Sequence, residues 1–113
     1  MIKLAKPYNP GDIDPDVTYQ FVRVFSVTGK RPQNPDEPGG RVLRIVAEFG
    51  NMEDGKWKPG KLPMTNVYGN GEDIQPIDDV VIKKDTPAFE GWFRACEQFL
   101  INTKVYDGTV VES

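Results

Sequence analysis

Two stretches of the chain alternate along an extended backbone with a period of two. Residues 17–27 are rich in β-branched and aromatic residues. As a regular strand they place Tyr19, Phe21, Arg23, Phe25 and Val27 on one side and Gln20, Val22, Val24 and Ser26 on the other. Residues 41–49 repeat the pattern, with Leu43, Ile45, Ala47 and Phe49 against Val42, Arg44, Val46 and Glu48. The two are expected to pair as antiparallel neighbours. Residues 86–102 carry the other period: Phe89, Trp92, Phe93, Cys96, Phe99 and Leu100 recur at helical spacing, opposite Glu90, Arg94, Glu97 and Gln98. Thr86 is suited to cap that helix, and Pro87 fits its first position, where the missing N–H costs nothing.

The remaining segments are set by their breakers. Residues 28–40 contain three prolines and three glycines and are expected to form a long hairpin loop. Residues 50–63 read as a second loop, followed by an extended piece at 64–68 and a turn at 69–71. Further extended segments are expected at 79–83 and 104–111. Pro7, Pro10 and Pro15, with Asp12, Asp14 and Asp16, make residues 1–16 an extended arm outside a single domain of residues 17–113. The expected fold is α+β: an antiparallel sheet of about four or five strands packed by one amphipathic helix. An OB-like, partly open barrel is the alternative. The helix is expected to pack on the face carrying Tyr19, Phe21 and Phe25, the richest in rings, leaving Gln20, Arg44 and Glu48 on the solvent side.

The chain has 113 residues and no histidine, which removes the commonest general base and the commonest zinc ligand. Catalysis is not expected, nor is a cofactor or a metal. Asp12, Asp14 and Asp16 have the spacing that opens a calcium loop, but the loop glycine is missing and Arg23 stands where the closing glutamate belongs. Residues 69–73 lack the Lys-Ser/Thr of a phosphate loop, and Glu72, Asp73, Asp78 and Asp79 have no accompanying nucleophile. Cys96, the single cysteine, belongs to the apolar helix face and suits a reducing compartment. The opening residues reach prolines before offering an apolar stretch, and no run is long enough to cross a membrane. A cytoplasmic protein without a membrane partner is expected.

A net charge of −3 disfavours nucleic acid as a partner, but the sum hides an asymmetry. Residues 19–68 carry eight Lys or Arg against five acids, whereas residues 69–113 carry four against nine. Within the basic part, Trp57 sits between Lys56 and Lys58, with Lys61 close behind. A flat ring among ammonium groups suits an unpaired base stacked on the ring and phosphates held by the lysines. The competing reading folds Trp57 back over the sheet with its lysines snorkelling around it. Lys30, Arg31 and Arg44 extend the positive set, and Tyr68 or Tyr8 supplies a further ring. Aromatics and lysines on a small domain with an acidic half are similar in type to small single-stranded DNA-binding proteins of bacteriophages. That resemblance implies an accessory factor in replication or transcription. The expected function is therefore non-catalytic binding of single-stranded nucleic acid, with the acidic half able to dock a polymerase or other protein. The rival is a protein-interaction or structural module, such as a virion component or an adaptor that inhibits or recruits a host enzyme. A homodimer through an open sheet edge is compatible with both.

Overall fold

The computed structural model describes residues 1–11, 15–29, 42–70 and 88–111. The expected segment at 79–83, the cap at Thr86 and Pro87, the carboxylates at 72–79, and Lys30 and Arg31 lie outside the described residues. Six strands and one helix are described: β1 (Ile2–Tyr8), β2 (Tyr19–Gly29), β3 (Val42–Glu53), β4 (Lys56–Pro59), β5 (Thr65–Asn70), α1 (Ala88–Asn102) and β6 (Gly108–Val110). The strands form one antiparallel sheet in the order β4-β3-β2-β1-β6, and β5 pairs with β3 beside β4. The fold is α+β, and the sheet is not closed, so the barrel alternative is not adopted.

The N-terminal segment departs from expectation. Ile2–Tyr8 is a strand inserted between β2 and β6, with Ile2 opposite both Val22 and Val110. Met1 and Ile2 are buried. Three apolar side chains, Met1, Ile2 and Leu4, are enough to anchor the strand, although Lys3, Lys6 and Pro7 give it a polar look. Hydrophobic burial here outweighs the composition.

The larger correction concerns which face of β2 the helix covers. The core contains Ile2, Val22, Val24, Ile45, Ala47, Cys96, Phe99 and Leu100, so α1 packs on the valine face and not on the side of Phe21 and Phe25, while Tyr19 is itself buried with its ring 6.1 Å from that of Phe49. A β-bulge explains the rest of the strand. Val24 pairs with Ala47 and Ser26 with Val46, so Phe25 is the extra residue and is left 54% exposed. Beyond it the parity of β2 reverses, and Val27, opposite Ile45, joins the helix-covered face. The helix departs too: Arg94 and Glu97, expected in solvent, are buried, while Trp92, expected in the core, is 44% exposed.

Glu97 is buried with both of its oxygens partnered. Its carboxylate accepts the Val24 N–H at 3.0 Å, a donor beside the bulge, and the α-ammonium of Met1 at 2.5 Å. The ion pair is almost fully enclosed, so both charges rely on these bonds in place of water. Desolvation raises the Glu97 carboxyl above the ordinary glutamate range, against the pull of the ammonium group and the Val24 N–H.

Residues 50–59, read as loop, form a hairpin. Asp54 and Gly55 both have positive φ, 51° and 75°, as a two-residue type I′ turn requires. Met52 then pairs with Trp57 and Glu53 with Lys56. Among the described residues, no helix is long and apolar enough to cross a membrane.

Candidate nucleic-acid interface

Because successive strand residues point to opposite faces, the hairpin separates the residues that the sequence groups together. Trp57 lies with Met52 and Glu48 on the face turned away from α1. Lys56 and Lys58 project to the other side, beside Glu53 and Asn51. Lys58 pairs with Glu53 at 3.2 Å, an exposed contact of little energetic weight. Lys61 follows β4; its backbone N–H is accepted by the Tyr19 hydroxyl at 3.2 Å, and its side chain is exposed. Lys58, Lys61, Tyr19, Asn51 and Glu53 border a shallow cavity of about 190 Å³ at this end of the sheet.

Trp57 is held from three directions. Its indole N–H donates to Glu48 Oε1 at 2.9 Å, and the Arg23 guanidinium lies 4.6 Å from the ring centroid. Below the ring, Gly50 leaves room that no side chain could share: a Cβ there would sit 2.4 Å from the ring and 2.6 Å from the Lys58 carbonyl oxygen. Arg23 also donates to Glu48 Oε1 at 3.3 Å, closing a set of three around a buried carboxylate. This is the fold-back alternative for Trp57, with an arginine over the ring and the lysines on the other face. Arg23 and Glu48 were not among the expected site residues. Their directly opposed positions on β2 and β3 bring them together.

The outer face carries a second pair of a different kind. Arg44 on β3 lies directly opposite Tyr68 on β5. Its guanidinium donates twice to Asn66 Oδ1, from Nε at 2.9 Å and from a terminal nitrogen at 2.7 Å. Asn66 is also absent from the expected set; in a strand of alternating faces, its spacing of two from Tyr68 is the signal that places both on one surface. Tyr68 is 67% exposed, the most open of the large apolar side chains described. Tyr8, the other candidate ring, is stacked on Phe49 at 4.9 Å. Phe49 also meets Tyr19 and, edge to face, Tyr106. Burial raises the Tyr106 hydroxyl and pushes the Cys96 thiol up to about 12, with Glu97 adding to the second shift. Cys96 is therefore held as a neutral thiol.

Of the expected site residues that are described, the structure thus brings Arg44, Tyr68 and Trp57 to one face, sends Lys56 and Lys58 to the other, and leaves Lys61 at the end of the sheet. No known protein family, curated protein or solved structure matches the chain.

Proposed function

We propose that this chain is a cytoplasmic, non-catalytic binding protein for single-stranded nucleic acid, acting through the sheet face turned away from α1. Its wider role is that of an accessory factor for exposed strands in replication or transcription. The observation that carries the reading is the Arg44–Tyr68 pair, an exposed ring beside a guanidinium that Asn66 already holds in place. A base stacks on Tyr68, and the neighbouring phosphate meets the outer edge of Arg44. An anchored guanidinium loses less freedom than a free one on meeting an anion. Arg23, paired with Glu48, adds a guanidinium to the same face without net charge, and Lys61 lies at its margin. Trp57 serves in this arrangement as a fixed support for Arg23 more than as an open stacking surface.

Fluorescence anisotropy of dye-labelled oligo-dT, titrated with protein at low and high salt, tests the proposal. Binding is expected to weaken as salt rises, and Arg44→Gln is expected to lower the salt slope by about one. Tyr68→Ala is expected to weaken binding about tenfold, within the 1–3 kcal/mol that stacking supplies per base. No binding, or an affinity indifferent to salt, overturns the reading in favour of a protein-interaction module.

A further inference from the structure

Among the described residues, three strands lie at the margins of the sheet, and they differ in how they discourage pairing with another chain. β6 is only three residues long. β4 carries Lys56, Lys58 and Pro59 in four residues, and charge and proline are the usual means of blunting an edge. β5 has neither device. Thr65–Asn70 contains no charge and no proline, and it lies within ten consecutive uncharged residues, 62–71, in a chain that is 27% charged. Among the described residues, β5 pairs only with β3, and its other edge has no partner strand.

We infer that β5 is a self-association edge, pairing antiparallel with β5 of a second copy of this chain. The absence of charge selects that occupant. In a two-fold pairing, each strand opposes its own sequence, so any charge near the axis meets its like. Lys56 and Lys58 would do so on β4, whereas β5 presents Thr, Asn, Val, Tyr and Gly. Opposed residues of an antiparallel pair share a face, so a two-fold axis perpendicular to the sheet falls on a single residue position. The middle of β5 puts that position at Val67 or Tyr68. Either choice joins the two sheets into one, with both helices on the same side and the outer faces continuous. The contact is short, so the dimer is weak and concentration-dependent. The inference does not rest on nucleic-acid binding, and because Tyr68 belongs to both surfaces it is tested without nucleic acid.

Sedimentation velocity over a wide protein concentration range, without nucleic acid, tests the inference. The wild-type chain is expected to dimerise reversibly. Tyr68→Lys and Asn66→Lys, both exposed and within two residues of the axis, are each expected to weaken dimerisation at least tenfold with unchanged circular dichroism. Lys56→Glu is expected to leave it unaltered. Should Tyr68→Lys fail to fold, Asn66→Lys decides the matter. A wild-type chain that stays monomeric throughout overturns the inference, and so does a dimer that persists in the well-folded lysine variants.

Discussion

The two faces of one sheet are held by different physics. Towards α1, the core of Ile2, Val22, Val24, Ile45, Ala47, Cys96, Phe99 and Leu100 is apolar, and a buried ion pair, Glu97 with the Met1 ammonium, sits beside the bulge in β2. On the far side, Glu48 collects Trp57 and Arg23, while Asn66 holds Arg44 beside an open tyrosine. The first face excludes water and tolerates change poorly. The second is built from hydrogen bonds that leave cations and a ring accessible, as a binding surface requires. The difference shows that an alternating strand supplies both faces, but that hydrophobicity alone does not say which face the helix takes.

The contrast is broken most severely at Glu97. Glu97→Ala leaves the buried Met1 ammonium with the Val111 carbonyl but without its counter-ion, and the Val24 N–H without its carboxylate acceptor, and is expected to cost about 3–5 kcal/mol, read from urea unfolding. The pH dependence has a definite sign. A carboxyl raised on folding binds its proton more readily in the native state, so this group favours the native state less as pH rises from the ordinary glutamate range through its raised value. Glu97→Gln removes that decline and is expected to flatten the stability profile over the same window.

A smaller effect is expected where the outer face meets its own backbone. Gly50→Ala forces a methyl group against Trp57 and the Lys58 carbonyl. It is expected to cost about 2 kcal/mol by overpacking and to shift the tryptophan emission as the ring is displaced. Trp57→Phe removes the donor to Glu48 and is expected to cost about 1–2 kcal/mol in thermal or urea unfolding. The smallest change in stability belongs to Tyr68→Ala, under about 0.5 kcal/mol, because the ring is mostly in solvent. If that variant proves strongly destabilised, Tyr68 belongs to the packed part of the molecule and the contrast between the faces fails.

Much of this architecture was legible in the residues. The period of two in β2 and β3 and the period of 3.6 in α1 identified the elements that make the layers, and their antiparallel pairing followed. The N-terminal strand was hidden because only Met1, Ile2 and Leu4 speak for burial among lysines and prolines. The hairpin had an available signal in Asp54-Gly55, the doublet that accepts two positive φ values; the surrounding lysines and glycines masked it. With that turn assigned, alternation alone would have separated Trp57 from Lys56 and Lys58. The helix-covered face was not legible, because the bulge leaves no compositional trace: Val24, Phe25, Ser26 and Val27 alternate acceptably in either parity. Arg44 and Tyr68 were each visible as candidates, but their opposition depends on the register of β5 against β3, and Asn66 gains a role only through that register.

The bulge makes one residue of β2 dispensable to the ladder. Phe25 projects largely into water, so exchanging its ring for another side chain alters little of the interior. Its deletion closes the bulge: Val24 and Ser26 become neighbours that already face opposite ways, and Val27 stays opposite Ile45. A regular ladder that kept the extra residue would instead turn Val27 outward and carry Ser26 and Thr28 toward the helix. At this position a missing codon is absorbed as readily as a substitution, whereas an added one would need a second bulge to keep the later side chains on their faces.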